Sequence, residues 1–350
     1  MNAGRPVATR LRWWWIGGAA LALAASIVIA VMIGAVALSP VDVLRSVASK
    51  LPGIDLESGL SDRDDAILWQ IRMPRVVLGV LVGSMLSAAG SAYQGVFRNP
   101  LADPYLLGAG AGAGLGATLA IAYGPNAGSW IIDPLPLAAF IGAVVGVALA
   151  YVLGYSVRAG RTSITLILAG VAVAAFLTAL QTFVQQRESE TLREVYGWIL
   201  GSLNTAGWDE VRLVAPYVGI SLVVVVGSRR LLDILSVGDT EASSLGVQPV
   251  RIRMIVIAFA TLGTAAVVAV SGLIGFVGII VPHAIRLVTS VSYRVIVPLS
   301  VLLGGAFLVL ADIVARTVLS PAEVPIGVVT ALVGAPFFAI ILRTSKGVVS

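Results

Sequence analysis

Ten long runs of apolar residues, nearly free of charged side chains, constrain the fold of this chain more than any other feature. A helix needs roughly 20 residues to cross about 30 Å of hydrocarbon, and each run comes close to that length. In lipid a segment must satisfy its own backbone hydrogen bonds, and the runs lack the alternation typical of barrel strands. The sequence therefore predicts an all-α polytopic membrane protein with about ten transmembrane helices. The predicted spans are residues 13–38, 76–97, 105–123, 135–157, 162–184, 211–228, 254–270, 272–291, 295–318 and 324–342.

The composition agrees with a surface that faces lipid rather than water. Of the 350 residues, 58% are hydrophobic and only 12% are charged, which leaves too few charged side chains to cover a soluble core. The formal charge of +5 does not indicate nucleic-acid binding, because the basic residues are scattered among the apolar runs. The chain has no cysteine, which excludes disulfides and thiolate metal sites. No change of composition marks a boundary, so residues 1–350 are predicted to form one transmembrane domain.

The distribution of charge along the chain predicts its orientation. Arg5, Arg10 and Arg12 precede the first run, further basic residues concentrate in alternate loops, and acidic residues concentrate in the others. The positive-inside rule then places both termini in the cytoplasm and the chain in the inner membrane. The segment 39–75 is an exception, since it combines cations and acids on the outer side. The first run, Trp13 to Leu38, is too long for the apolar part of a signal peptide and is predicted to be retained.

Two segments outside the predicted spans have the features of surface helices. Ser39 and Pro40 are typical of an N-cap and of a first helical position, so a short helix is expected to follow them. Residues 185–208 begin with charged side chains and end with aromatic ones, which predicts a helix lying at the membrane interface on the outer side.

Three features inside the spans resemble functional motifs but have simpler explanations. Gly108, Gly112 and Gly116 share one helix face and are predicted to let a neighbouring helix approach closely. The single histidine, His283, has no second His, Cys or carboxylate beside it, so it is predicted to pack or hydrogen-bond rather than to hold a metal. Asp312 and Arg316 lie four residues apart and are predicted to neutralise each other. The alternative for this pair is an ion relay in an ion-coupled secondary carrier.

Four blocks of residues carry a resemblance to a known family. They are Arg72-Met73-Pro74-Arg75 with Gln94 and Asn99-Pro100-Leu101-Ala102-Asp103-Pro104; Gly238-Asp239-Thr240-Glu241-Ala242-Ser243-Ser244-Leu245-Gly246; Ser271-Gly272-Leu273-Ile274-Gly275-Phe276-Val277-Gly278 with Pro282, His283 and Arg286; and Ala311-Asp312-Ile313-Val314-Ala315-Arg316 with Glu323-Val324-Pro325-Ile326-Gly327 and Gly334-Ala335-Pro336. From about Ile71 to Leu342 the chain resembles the FecCD family, the permeases of binding-protein-dependent importers for iron-siderophores, haem and vitamin B12. One block alone is weak evidence, but four blocks in this order are strong evidence.

The resemblance implies a type II importer permease of ten helices. It implies two permease subunits around a central path, two cytoplasmic ATPase subunits and an external substrate-binding protein. A homodimer is expected for the two permease subunits, with a heterodimer with a related permease as the alternative. No cofactor is implied for this chain, since ATP and Mg would be bound by the ATPases; the sequence itself contains no G-x-x-x-x-G-K-[ST] phosphate loop. The chain is therefore expected to be a transport subunit and not an enzyme. The expected substrate is a ferric siderophore, with vitamin B12 or haem as alternatives, and the cavity wall is expected to use the second, fifth and eighth spans.

The resemblance also implies roles for individual residues at the two membrane faces. In similar permeases, arginines at the positions of Arg72, Arg75 and Arg316 receive glutamates of the binding protein. Arginine suits this role because its guanidinium pairs a carboxylate bidentately. Anchoring to lipid headgroups is the alternative.

The segment 238–246 is implied to be a short helix that seats in a groove of the ATPase and transmits its closure. Its residue types predict that Asp239 caps the helix, that Ala242 and Leu245 share one face, and that Gly246 ends it. From the sequence alone, an ordinary loop helix is the alternative. The residues assigned to coupling are Gly238, Asp239, Glu241, Ala242, Leu245 and Gly246, and those assigned to family motifs or packing are Gln94, Asn99, Pro100, Gly275, Pro282 and Asp312.

Overall fold

A computed structural model of the chain describes residues 11–34, 39–50, 59–125, 133–156 and 163–344. These residues are largely helical, and no strand occurs among them. The helices are α1 (Trp13–Met32), α2 (Pro40–Ser49), α3 (Asp62–Ala66), α4 (Met73–Phe97), α5 (Ala109–Tyr123), α6 (Pro134–Ser156), α7 (Ser163–Arg187), α8 (Leu192–Ile199), α9 (Trp208–Gly227), α10 (Arg229–Val237), α11 (Asp239–Ser244), α12 (Pro249–Ser271), α13 (Val277–Val288), α14 (Tyr293–Thr317) and α15 (Ile326–Thr344). A π-helical turn, Ile67–Arg72, joins α3 to α4.

Each of the ten predicted spans contains one of these helices. Seven helical segments, those of α1, α3 to α4, α6, α7, α9, α12 and α14, are long and apolar enough to cross a membrane. The helices α5, α13 and α15 are apolar as well, although their apolar parts are shorter. The predicted all-α, polytopic fold class is therefore confirmed. Residues 1–10, which contain Arg5 and Arg10, and residues 35–38 of the first predicted span lie outside the described part of the chain.

Two predicted spans are interrupted where the backbone adopts a positive φ. The third span begins with one 3-10 turn, Pro104–Leu107, and α5 starts only after Gly108, whose φ is 83°. The prediction of an eighth span from residue 272 is wrong for its first five residues, since α13 begins at Val277. Gly272 and Phe276 have φ values of 67° and 69°, which no α-helix accommodates. The first five residues of this predicted span, 272–276, thus form an extended connection in place of helix.

Helix α4 lies at the centre of the bundle. In its membrane segment 83% of the residues are buried, against 22 to 67% in the other candidate spans. Gly83 and Gly90 bring it to backbone contact with two neighbours, because a Cβ on either would meet the carbonyl oxygen of Gly304 in α14 or of Gly278 in α13. The expectation that the second span lines a transport cavity is therefore wrong, since its side chains are enclosed by this subunit's own helices.

The glycines of α5 have the packing role that their spacing predicts. A Cβ at Gly112 would lie 2.0 Å from the carbonyl oxygen of Gly142 in α6, and one at Gly116 would lie 2.1 Å from that of Ala138. Gly108 differs, because it lies before the helix and supplies the left-handed residue at its start. The prediction of close helix approach is confirmed for α5 and α6.

Both predicted surface helices are present as α2 and α8. Helix α2 begins at Pro40 as expected, but the side chain of Ser39 makes no capping hydrogen bond. Helix α8 lies within the predicted interfacial segment, and the backbone that follows it is hydrogen-bonded from the Ser202 amide to the Ser271 carbonyl. This bond places the end of α8 beside the extended connection that precedes α13.

Candidate functional site

Charged side chains gather at both ends of α4, and these two clusters are the candidate sites. We refer to them as the Arg75 cluster and the Asp239 cluster. The Arg75 cluster comprises Arg72, Arg75, Asp312, Arg316 and Glu323. The Asp239 cluster comprises Arg98, Asp239 and Arg253. Asp233 and Arg294 form a different ion pair, at the start of α14, and do not belong to this cluster.

Arg75, in the first turn of α4, is the centre of the first cluster. Its Nη2 lies 2.8 Å from Oδ1 of Asp312 in α14, and its Nε lies 3.1 Å from each Asp312 oxygen. Its Nη1 and Nη2 also donate to the two carboxylate oxygens of Glu323, at 2.8 and 2.9 Å. The Arg75 side chain is 11% exposed, so the guanidinium is held by two carboxylates in a largely dehydrated place.

Arg316 forms the ion pair that the spacing of four residues predicts. Its Nε lies 3.7 Å from Oδ2 of Asp312, and its Nη2 donates to the carbonyl oxygen of Ala30 in α1 at 2.5 Å. The predicted pairing is confirmed, but Arg75 is the closer partner of Asp312. Arg75 and Arg316 thus share Asp312, and with Arg72 the cluster contains three guanidinium groups and two carboxylates, a formal surplus of one positive charge.

Arg72 is turned into the protein, where it contacts the end of α1. It is buried, and its Nη1 donates to the carbonyl oxygens of Val31 and Met32 at 2.8 and 3.2 Å. These carbonyls belong to the last turn of a helix and have no intrahelical donor. In this structure the Arg72 side chain therefore caps α1, and the docking role assigned to it stays a prediction.

Glu323 lies in the connection between α14 and α15, at the exposed edge of the Arg75 cluster. The hydrogen bond from Arg75 lowers the pKa of Glu323 below its usual value, and burial opposes this effect. Its side chain is 36% exposed, whereas that of Asp312 is 4% exposed. Of the two carboxylates on Arg75, Glu323 is therefore the one that solvent can reach.

The short helix predicted at 238–246 is α11, but Asp239 does not cap it. Gly238 is the N-cap residue, and Asp239 is the first helical residue. The Asp239 carboxylate accepts from Arg253 at 2.6 and 2.8 Å and from Arg98 at 3.2 Å, and the Arg253 hydrogen bond lowers the pKa of Asp239. The capping prediction is wrong because two arginines outside the segment compete successfully for the carboxylate.

The other end of α11 forms as its sequence predicts. Gly246 has a φ of 77°, and the amide of Val247 donates to the carbonyl oxygen of Ala242 at 3.1 Å. This bond is typical of a helix that ends at a left-handed glycine. The prediction that Gly246 ends the helix is confirmed.

Ala242 and Leu245 do not share a face. Ala242 is 0% exposed and contacts the protein, whereas Leu245 is 65% exposed. A surface formed by Glu241, Leu245 and Val237 therefore points away from the bundle. An exposed leucine in a loop helix is available to a partner protein.

The residues assigned to family motifs lie between the two clusters or beside them. Gln94 is fully buried, donates to the Gly278 carbonyl oxygen at 3.1 Å and accepts from Arg286 at 3.1 Å, so it connects α4 to both halves of α13. Asn99 turns the chain after α4, with its Oδ1 accepting from the Leu101 amide at 2.9 Å, and Pro100 follows it.

Three further predicted residues belong to α13 or its approach. Gly275 lies in the extended connection with no heavy atom within 4 Å of a Cβ built there, and Pro282 lies inside α13. The ring of His283 packs edge-on against Phe337 with 6.0 Å between the ring centroids, which confirms the predicted packing role.

The cluster members that were not predicted as site residues include Glu323, Arg98 and Arg253. Arg75 and Glu323 are 248 residues apart, and Arg98 and Asp239 are 141 apart, so no local spacing connects them. The sequence signal that was available is weaker: Glu323 and Asp239 are charged residues inside two of the recognised blocks.

Comparison with known proteins identifies what this arrangement is similar to. The model of the FecCD transport family matches residues 22–344. The chain is 39% identical over 289 residues to the cobalamin import system permease protein BtuC of Halobacterium salinarum, covering 82% of this chain and 76% of that protein. It is 34% identical over 289 residues to the iron(3+)-hydroxamate import system permease protein FhuG of Bacillus subtilis, covering 81% and 85%.

A solved structure supports the same relationship. A transporter described as of the metal-chelate ABC type, in an inward-facing conformation, superposes with a TM-score of 0.81 at 29% identity. The match covers 94% of this chain and 98% of that one. The extended connection and the two clusters therefore lie within the part of the chain that the similarity covers.

Proposed function

The chain belongs to the FecCD transport family, and from this premise we propose that it is the membrane permease subunit of an ATP-driven importer of metal chelates. The observation that carries the proposal is the bundle itself, which bears one charged cluster at each end of its central helix. Since the sequence has no phosphate loop, ATP and Mg belong to two separate ATPase subunits. A second copy of the chain and an external binding protein complete the assembly, and the chain itself is not an enzyme.

The Asp239 cluster is the proposed contact face for the ATPase. This face and both termini are proposed to lie in the cytoplasm, and the membrane is proposed to be the inner membrane. Its exposed surface, formed by Glu241, Leu245 and Val237, is the part of α11 and α10 available to a groove on the ATPase. Ala242 faces inward and holds α11 on the bundle. Gly238 and Gly246 bound the helix at positions with positive φ.

The Arg75 cluster is the proposed docking face for the binding protein. Its surplus positive charge suits a carboxylate from that partner, and Arg75 lies beside the solvent-exposed Glu323. Arg316 lies in the same cluster and supports docking by holding Asp312. Arg72 contributes in this structure by fixing the end of α1, so its direct contact with a partner would require the side chain to turn outward.

The transport path is proposed to follow an apolar groove rather than the face of α4. This groove has a volume of about 500 Å³ and lies between α8, the extended connection and α15. It is lined by Ile199, Leu200, Leu273, Val328, Leu332 and Pro336. A wall with so few polar groups binds a bulky chelate weakly, and alternating access requires release on the far side.

The chelate is proposed to be a ferric siderophore, with vitamin B12 and haem as the alternatives. Support comes from relatives named for iron(3+)-hydroxamate, Fe(3+)-citrate and cobalamin import. The single histidine and the lack of cysteine in the chain agree with a cargo whose metal stays inside its chelate.

Reconstitution tests the proposal directly. The chain is placed in proteoliposomes with or without its ATPase, and uptake of radiolabelled ferric siderophore, cobalamin or haem is measured with the matching binding protein. We expect uptake only when the ATPase and ATP are both present. Uptake that persists without the ATPase and collapses with an ion gradient would establish a secondary carrier instead.

The ATPase face has its own test. Leu245→Ala should weaken copurification of the ATPase with the permease, because it removes an exposed apolar anchor from α11. Leu319→Ala is the matched control, since Leu319 is similarly exposed in the loop after α14, close to the Arg75 cluster. Equal copurification of both variants with wild type would exclude α11 as the ATPase contact.

A further inference from the structure

We propose that Asp233 is a positioning residue that joins the ATPase-facing segment to α14 and thereby couples the two ends of the permease. This inference rests on the proposed function and adds to it the route by which the ends communicate. Asp233 lies in α10, which precedes α11, and no motif in the sequence distinguishes it. The positioning role is inferred from the contacts that the Asp233 side chain makes.

The Asp233 carboxylate holds the first residues of α14 with three donors. Oδ1 accepts from the amide of Tyr293 at 2.6 Å, Oδ2 accepts from the hydroxyl of Ser292 at 2.7 Å, and Oδ2 lies 3.2 Å from Nε of Arg294. A helix N-terminus has unpaired amides and a partial positive charge, so a carboxylate there makes strong, charge-assisted bonds. Asp233, from another helix, thus adds to the cap that Ser292 makes by accepting from the Arg294 amide at 3.3 Å.

Helix α10 packs tightly against the bundle, so that its movement can be transmitted to α14 through the contacts of Asp233. Leu232 and Leu235 are fully buried, and Leu232 packs beside Gly95 at the end of α4. The polar Asp233 lies next to Leu232 in sequence, so the same short helix presses on α4 and binds α14. Rotation or displacement of α10 therefore displaces both helices.

The second carboxylate, Asp239, attaches the following helix to two more elements. Arg98 belongs to the end of α4, and Arg253 belongs to α12 and also donates from Nε to the Val96 carbonyl oxygen at 3.4 Å. The segment from α10 to α11 is thus bound by ionic contacts to α4, α12 and α14 at once. A movement of α10 and α11 can therefore pass to these helices through non-covalent contacts, because each contact joins the ends of neighbouring helices.

Helix α14 carries the connection to the opposite end of the molecule. It contains 25 residues and is about 37 Å long at 1.5 Å per residue. Its first residue is held by Asp233, and Asp312 near its other end is the buried partner of Arg75. Midway, Gly83 and Gly304 hold α14 against α4 at backbone contact. Events at Arg75 and at the ATPase face therefore act on the same helix pair.

The experiment uses the assembled complex of permease, ATPase and binding protein in proteoliposomes. It measures basal ATP hydrolysis, its stimulation by loaded binding protein, and the thermal unfolding temperature. Asp233→Asn should lower the stimulation factor about fivefold or more, the scale of a typical coupling between sites, while basal hydrolysis stays near wild type. Asp209→Asn is the matched control, because Asp209 also pairs with one arginine, Arg212, but on the exposed surface of α9.

Each result decides the proposal. A purely structural role would lower the unfolding temperature and basal hydrolysis together and leave the stimulation factor unchanged, which overturns it. If Asp233→Asn fails to assemble, Arg294→Gln removes only the ion pair and should still reduce stimulation; full stimulation there overturns the proposal as well. If the wild-type complex itself shows no stimulated hydrolysis, the proposed function fails first. Stimulation that is normal in wild type and unchanged in Asp233→Asn refutes only the proposed role of Asp233 in joining α10 to α14.

Discussion

Neutralising Asp312 should destabilise the protein several times more than neutralising Glu323, although both carboxylates bind Arg75 at 2.8 Å. The two substitutions, Asp312→Asn and Glu323→Gln, preserve size and hydrogen-bonding ability and remove one negative charge each. What differs is the environment of the charge. Asp312 is enclosed between Arg75 and Arg316, whereas Glu323 lies at the solvent-exposed edge.

The magnitude follows from burial. Removing one partner of a buried ion pair typically costs about 3–5 kcal/mol, because a charge remains without compensation in a dehydrated place. Since Arg75 keeps Glu323 in the Asp312→Asn variant, the lower end of this range, about 3 kcal/mol, applies. An exposed pair contributes about 1 kcal/mol or less, so Glu323→Gln should cost no more than that.

The assay is reversible unfolding of the purified protein in mixed micelles, followed by tryptophan fluorescence. Asp209→Asn serves as the control for a solvent-exposed pair and should change the free energy of unfolding by no more than about 1 kcal/mol. Equal losses for Asp312→Asn and Glu323→Gln would refute the reasoning, because burial would then have no influence on the strength of the Arg75 contacts.

Two further predictions concern packing and pH. Gly90→Ala should lower the unfolding temperature, since its Cβ would lie 2.1 Å from the Gly278 carbonyl oxygen, whereas Gly219→Ala, with nothing within 4 Å, should be neutral or stabilising by about 0.5–1 kcal/mol. The Arg253 hydrogen bond lowers the pKa of Asp239, so the pair should stabilise the fold above the ordinary value of 3.8 and lose this contribution as pH falls through the lowered pKa. Asp239→Asn should therefore flatten the acid side of a plot of unfolding temperature against pH; an unchanged acid side would contradict it.

The sequence predicts the ten spans because lipid imposes a length and a composition on each. It does not predict the break at 272–276, because hydropathy is insensitive to the backbone angles that Gly272 and Phe276 adopt. The central position of α4 was missed for a related reason. Apolar residues can face lipid or other helices, and the useful signal was the concentration of small residues such as Gly83, Ser84 and Ala89 on several faces of one span.

The site was predictable only where its members are close in sequence. Asp312 and Arg316 are four residues apart, so their pairing follows from helix geometry. The stronger contact of Asp312, with Arg75, joins residues 237 positions apart and depends on how α4 packs against α14. The same limit explains the error at Asp239, whose capping potential was visible locally while its arginine partners were not.

The unequal burial of the two carboxylates on Arg75 also determines how docking can proceed. An incoming carboxylate cannot displace Asp312 without leaving Arg316 as a buried charge with no counter-charge. It can displace Glu323, because that carboxylate moves into water, where its hydration replaces the lost pair. In the proposed docking at Arg75, one solvated carboxylate would therefore be exchanged for another, with the Arg75–Asp312 contact left intact. Since that contact would be preserved, the force of the proposed docking would pass to α14, the helix that Asp233 holds at its other end.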